Sequence, residues 1–216
     1  MALIVIAPTI LTNDSNRYKQ LVELYHPFAK RVQIDISDGS LSAAKTVSET
    51  TIWWPKDWTV DVHMMVAQPS AHVDTLVKLK PHLVIFHAEV QEDLGPTFEK
   101  LKQNGIKVGV AIMKPTFPGS ISSLIEASDH VMIFSGNLGE TGGTADLLQL
   151  EKVRIVRRIK KDIEMGWDGG ANMNNVRTIA QAGVTIINVG SAIVDAEDPA
   201  KMYGALMAEA EKQGVL

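Results

Sequence analysis

Short apolar, β-branched runs alternate with helical periodicities from one end of the chain to the other. Leu3-Ile4-Val5-Ile6-Ala7 is an unbroken apolar run bounded by Pro8, which predicts a buried strand. Leu21, Leu24, Tyr25 and Phe28 then recur at helical spacing behind the capping residues Asn13, Asp14 and Ser15. Strands follow over Arg31–Ile36, Thr59–Met65, Leu83–His87 and Lys107–Ile112. Between them, Ser70–Leu79 and the stretch around Phe98 and Leu101, closed by Asn104-Gly105, read as helices. In the second half, Val131–Phe134, Ile163–Trp167 and Thr185–Val189 complete the strands. Their helical partners are Ile121–Ala127, the stripe Leu147/Leu150/Val153/Val156/Ile159, the turn of Val176, Ile179 and Ala180 ended by Gly183, and Pro199–Lys212.

Eight strands alternating with helices imply parallel pairing through helical crossovers. A doubly wound nucleotide-binding sheet calls for Gly-x-Gly-x-x-Gly after the first strand. Here that strand leads into Pro8-Thr9-Ile10-Leu11. The expected fold is therefore an α/β protein with a single (β/α)8 TIM barrel. No Pro/Gly/Ser-rich linker divides the chain, so residues 1–216 are expected to form one domain.

Composition narrows the chemistry. Lys plus Arg is 21 against 25 for Asp plus Glu, a net charge of −4, which gives no field for nucleic acid or an anionic membrane. There is no cysteine, so disulfides, thiolate metal sites and thiol nucleophiles are excluded. No apolar stretch approaches the roughly 18 residues of a membrane span, and Met1–Ala7 lacks the basic flank of a signal peptide. A cytoplasmic protein is expected.

In such barrels the reactive groups stand at the C-terminal strand ends. Period-two spacing puts Gln33, Asp35 and Ser37 on one face of strand two, and Asp61 and His63 on one face of strand three. Strand four ends in His87 with Glu89 beyond it, and strand seven ends at Asp168. Ionisable groups inside a barrel are costly unless paired or metal-bound. Asp38-Gly39 reads equally well as a turn, but Asp35, His63 and Asp168 together make a carboxylate/imidazole set suited to a divalent ion. Glycine supplies a second signal. Seven of the 16 glycines, Gly136, Gly139, Gly142, Gly143, Gly169, Gly170 and Gly190, lie in the loops after strands six to eight. Barrel loops there commonly cradle phosphate with backbone N–H groups, so an acidic chain can hold an anionic substrate.

At these residues the sequence resembles the ribulose-phosphate 3-epimerase family over nearly its whole length. Ala7-Pro8-Thr9-Ile10-Leu11 is similar to the family's Ser-Pro-Ser-Ile-Leu. Gln33-Ile34-Asp35-Ile36-Ser37-Asp38-Gly39 is similar to His-x-Asp-x-Met-Asp-Gly, and Asp61-Val62-His63-Met64-Met65 to Asp-Val-His-Leu-Met. Phe86-His87-Ala88-Glu89, Val108–Ile112, Asp168-Gly169-Gly170 and Gly190-Ser191-Ala192-Ile193 correspond in order.

The resemblance implies metal-assisted epimerisation at C3 of a ketose 5-phosphate, with ribulose 5-phosphate as the type substrate. It makes Asp35 and Asp168 the acid/base pair and Gln33, Asp35, His63 and Asp168 the ligands of a divalent ion (Zn, Mn, Fe or Co). It places Thr9 and His63 at the sugar, and Gly142, Gly143, Gly169, Gly170, Gly190 and Ser191 at the phosphate. A homo-oligomer is expected. The chain also departs from the family. Gln33 replaces a ligating His, Ser37 replaces a Met, Ser40–Val47 lacks a Val-Pro-Asn run, and Met113–Pro118 differs from Asn-Pro-Ala-Thr-Pro. Leu138 stands where Pro is usual, and Glu140/Thr141 look inserted beside the phosphate loop.

Two other readings compete. A sugar-phosphate lyase or decarboxylase would want an Asp-x-Lys pair on strand two or three, which neither Asp35-Ile36-Ser37 nor Asp61-Val62-His63 supplies. A non-catalytic sugar-phosphate binder would keep the glycine loops with a disabled metal site. Trp53, Trp54 and Trp58 are expected either at a subunit interface or packed under the loop after strand two.

Overall fold

The computed structural model describes residues 3–42 and 44–212, so the first two residues of Met1–Ala7 lie outside it. Eight strands run in chain order around a closed barrel, each parallel to its neighbours. They are β1 (Val5–Ile10), β2 (Arg31–Ser37), β3 (Thr59–Met65), β4 (Leu83–His87), β5 (Lys107–Ile112), β6 (His130–Phe134), β7 (Glu164–Asp168) and β8 (Ile186–Val189). Pairing of β1 with β8 closes the ring. The outer layer holds α1 (Ser15–Tyr25), α2 (Val73–Leu79), α3 (Leu94–Gln103), α4 (Ser122–Ala127), α5 (Glu151–Ile159) and α6 (Val176–Gln181). The short α7 (Ser191–Val194) and α8 (Pro199–Ala210) follow β8. Residues 38–58, between β2 and β3, form no helix among the described residues. No helix among them is long and apolar enough to cross a membrane.

Local chemistry fixes the ends of these elements. Asp14 caps α1 by accepting from the Arg17 amide, Asp93 caps α3, and Asp198 caps α8 ahead of Pro199. Two strand boundaries differ from the sequence expectation. β1 continues through Pro8 to Ile10. The Val5 amide donates to Thr185 on the β8 side, so alternation turns the Pro8 nitrogen towards β2, where pairing begins only at Thr9. The missing N–H therefore costs no ladder bond. β7 runs to Asp168 and includes Glu164 and Gly166. A side chain at Gly166 would meet His130 Nε2 at 2.4 Å, so this position must stay bare.

The outward faces of the strands, such as Val32, Ile34 and Ile36, join the helices in one large apolar layer. Trp58 is buried in that layer and Trp54 packs against it. Trp53 remains 48% exposed, its carbonyl accepting from the Tyr18 hydroxyl. The barrel interior is different. Its middle is a small apolar plug of Leu83, Ile85, Ala111, Met132 and Phe134. Below the plug, Arg31 donates from Nε to Asp61 and in bidentate fashion from both terminal nitrogens to Glu164, each bond 2.7–2.8 Å. Glu164 also meets His130 Nδ1 at 2.8 Å. This floor ties β2 to β7 across the barrel.

Burial alone would raise the Glu164 carboxyl, but the bonds from Arg31 and His130 outweigh it and hold it well below the carboxylate range. A depressed carboxyl contributes stability above the unfolded Glu pKa and loses it as pH falls through the folded value. Glu164→Gln should therefore cost about 3 kcal/mol at pH 7, the scale for breaking a buried pair. Urea denaturation from pH 7 to pH 3 should show the gap to wild type narrowing below about pH 5. A gap independent of pH would contradict this account.

Candidate active site

Above the plug, the same period-two face of β2 presents Gln33 and Asp35, and β3 presents His63 in register with Asp35. β7 delivers Asp168 from the far side of the barrel. The Gln33 amide nitrogen joins them, donating to Asp35 Oδ1 at 2.8 Å and to Asp168 Oδ2 at 2.6 Å. His63 Nδ1 lies 3.0 Å from Asp35 Oδ1 and 3.8 Å from Asp168 Oδ2. All four groups are buried or nearly so, with Asp168 the most open.

Burial sets the electrostatics. It pushes the Asp35 carboxyl far above its usual range, with the Gln33 hydrogen bond opposing. Asp168 is raised by burial and further by the charge of Asp35. Burial pulls the His63 imidazole down to about 4, so it is neutral at pH 7. Raised carboxyls and a neutral imidazole are what proton transfer near neutral pH requires.

A cleft opens over the carboxylates. Thr9, Asp35, Asp168, Gly142, Gly143, Gly169, Gly170, Gly190 and Ser191, all anticipated from sequence, line it together. Gln33 and His63 lie beneath, in contact with its two carboxylates. No Lys or Arg is among the described residues lining it. Ser37 has another role, donating its hydroxyl to the Ala44 carbonyl and so tethering the loop after β2. Asn188 and Asn137 also line the cleft and were missed. For Asn188 the signal existed, a polar residue inside the apolar run Ile186–Val189.

The glycine loops are built against each other. The Ser135 amide donates to the Asp168 carbonyl at 2.7 Å, and the Ser135 hydroxyl accepts from the Asp146 amide. Gly170 has φ +70°, and a Cβ there would lie 2.2 Å from the Ala145 nitrogen and 2.5 Å from the Thr144 carbonyl carbon. The loop after β7 can thus dock on the loop after β6 only without a side chain.

The residues fit a divalent cation. Asp35, His63 and Asp168 each offer a ligand atom, and these atoms all lie within 4.8 Å of one another. Gln33 Oε1 is buried with no hydrogen-bond partner, and turning the amide would bring this oxygen to the same centre. Three oxygens and one imidazole nitrogen suit manganese, iron, cobalt or zinc.

The sequence profile of the ribulose-phosphate 3 epimerase family matches residues 5–194. The chain belongs to the ribulose-phosphate 3-epimerase family. It is 28% identical over 216 residues to the ribulose-phosphate 3-epimerase of Escherichia coli K12, covering 96% of each chain. The Bacillus subtilis ribulose-phosphate 3-epimerase is 26% identical, over 92% of this chain and 96% of its own. The cytoplasmic isoform from Oryza sativa is 28% identical, over 95% and 94%. Among solved structures, 3-hexulose-6-phosphate synthase from Salmonella typhimurium superposes with a TM-score of 0.69 at 14% identity, covering 96% of this chain and 98% of that one. That likeness speaks to the barrel alone. Membership in the epimerase family makes the chain an isomerase-class enzyme.

Gly170→Ala adds left-handed strain of about 1–2 kcal/mol to a backbone clash of about 1–3 kcal/mol. At roughly 2–4 °C per kcal/mol for a domain of this size, its Tm should fall by about 4–20 °C. Gly105 shares the positive φ, at +75°, but has open space where a Cβ would go. Gly105→Ala should therefore cost only the strain, about 1–2 kcal/mol. Equal losses in thermal melts of the two variants would show that the docking contact is not what requires Gly170.

Proposed function

We propose that the protein inverts C3 of a ketose 5-phosphate, ribulose 5-phosphate or a close relative, by proton transfer between Asp35 and Asp168. The observation that carries this reading is the pair of buried, raised carboxyls delivered by β2 and β7 from opposite sides of one cleft. Inversion needs a proton removed from one face of a carbon and returned to the other. One carboxylate takes the C3 proton, and the electron pair moves towards the C2 carbonyl to give an enediolate. The other, protonated, returns a proton to the opposite face. The reverse reaction exchanges their roles.

Gln33 holds both carboxylates by one amide nitrogen and so fixes their separation. His63 supports Asp35 from the β3 side. A divalent cation held by Asp35, His63 and Asp168, and by the Gln33 oxygen once its amide turns, would stabilise the negative charge that develops on the substrate oxygens. Phosphate binding falls to the backbone N–H groups of Gly142, Gly143, Gly169, Gly170, Gly190 and Ser191, because no cationic side chain is among the described residues lining the cleft. Thr9 offers its hydroxyl at the Gly190 edge, where a Cβ would lie 2.7 Å from Thr9 Oγ1.

One observation favours a second reading, a sugar-phosphate binder without turnover. The Gln33 amide can satisfy both carboxylates by itself, which makes a cation dispensable for the fold. Supplied with Mn, Fe, Co or Zn, the purified protein should exchange the C3 hydrogen of ribulose 5-phosphate with solvent deuterium. Asp35→Asn and Asp168→Asn should each lower turnover by about 10²–10⁴-fold, the usual contribution of a positioned acid or base. Gln33→His should raise metal content and activity together. Tight binding of the sugar phosphate with no exchange under any metal would establish the second reading instead.

A further inference from the structure

β8 carries a polar side chain that the reaction as drawn above does not use. Ile187 and Val189 join the outer apolar layer, so Asn188 and Gly190 turn inward. Asn188 is 2% exposed and lines the cleft together with Asp168. The two stand side by side, each directly following a residue of the paired Trp167 and Ile187. The Asn188 amide is nearly unspent. Its Nδ2 donates to the thioether Sδ of Met132 in the plug at 3.4 Å, and sulfur is a weak acceptor. Its Oδ1 is buried with no hydrogen-bond partner among the described residues. Turning the amide over would set the oxygen against the sulfur, so the oxygen remains the free end.

Buried polar atoms are nearly always paired, so an orphan bordering a cleft points to a ligand. The missing partner is a hydrogen donor, because a carboxamide oxygen only accepts. A phosphate dianion and an enediolate oxyanion are acceptors themselves and do not fit. A sugar hydroxyl does. Which hydroxyl follows from position, given the epimerase reading above, on which this inference rests. C3 lies at Asp35 and Asp168, and the phosphate on C5 lies at the loops that include Gly190. Asn188 neighbours Asp168 in the ring and is one inward position below Gly190. The carbon between C3 and C5 is C4. Inversion swings the C3 hydroxyl to a new direction but leaves C4 untouched, so a fixed acceptor at C4 holds both epimers alike.

We propose that Asn188 is a specificity-determining residue whose Oδ1 accepts a hydrogen bond from the C4 hydroxyl of the ketose phosphate. It selects a carbon chain hydroxylated at C4 and leaves the phosphate to the backbone of the glycine loops. Substrate binding then satisfies an acceptor that the empty cleft leaves unpaired. A site built to pair with a hydroxyl discriminates against the analogue that lacks it.

Ribulose 5-phosphate and its 4-deoxy analogue test this on the metal-supplied protein. Wild type should prefer ribulose 5-phosphate by about 10-fold in kcat/KM, the scale of one well-placed hydrogen bond. Asn188→Leu, similar in size, should lose about 10-fold on ribulose 5-phosphate and less than about 2-fold on the analogue, erasing the preference. Its Tm without ligand should match or exceed that of wild type, because an apolar group replaces an unpaired buried amide. A purely structural Asn188 would lower it. Asn188→Ala carries the same comparison if the leucine variant does not fold. Where neither compound turns over, dissociation constants from calorimetry replace kcat/KM. Equal handling of the two compounds by wild type, or equal losses in the variants, would overturn the role of Asn188, and C3 exchange would leave the epimerase reading standing. Selective loss of binding with no exchange under any metal would uphold the hydroxyl contact and sink the epimerase reading.

Discussion

The barrel depends on polar groups that meet across its interior, from β2 to β7. Those strands are not neighbours in the ring, so no backbone ladder joins them. What joins them is Arg31 to Glu164 at the floor and Gln33 to Asp168 at the mouth. Both donors sit on one face of β2, two residues apart, with Asp35 next in the series. An interior this narrow admits little water, and an unpaired charge there costs several kcal/mol. Each polar residue the sequence turns inward must therefore find a partner on another strand, and the partners set how β2 and β7 face each other.

The apolar plug of Leu83, Ile85, Ala111, Met132 and Phe134 separates two polar layers with opposite character. Below it, a guanidinium matches two carboxylates and an imidazole, and the set is structural. Above it, acceptors outnumber donors. Two carboxylates share one amide nitrogen beside a neutral imidazole, and the Gln33 oxygen has no partner. A layer with surplus lone pairs is short of positive charge, in the form of protons or a cation. That shortage is the chemical property that distinguishes the mouth from the floor, and it is what the proposed proton transfer would draw on.

Much of this was legible because strand periodicity is a simple code. Period two on β2 and β3 placed Gln33, Asp35 and His63 together, and the end of β7 placed Asp168 beside them. The glycine loops were legible because bare backbone is needed wherever two loops touch, as at Gly170. What escaped the sequence depends on partners that periodicity does not name. Glu164 and Gly166 looked like interruptions of a strand, yet one binds Arg31 and the other makes room for His130. Pro8 looked like a boundary because its effect depends on which neighbour its nitrogen faces. His87 and Glu89 were visible as polar strand-end residues, but their connection to His63 exists only through the barrel's curvature and the loop at Met113.

Gln33 is where the family resemblance and the physical reading meet. An imidazole there would offer a lone pair and, when neutral, a single N–H, so it could not hold both carboxylates by one nitrogen. The amide can, because its NH₂ carries two protons. It thereby partly satisfies the mouth of the barrel without a cation. Recruiting its oxygen to a metal requires turning the amide and giving up two hydrogen bonds to charged groups, at roughly 1.5–3 kcal/mol each. The cation's attraction to the same carboxylates must exceed that loss. On the reading proposed above, metal and amide would compete for the same carboxylates, and occupancy would follow the supply of the ion.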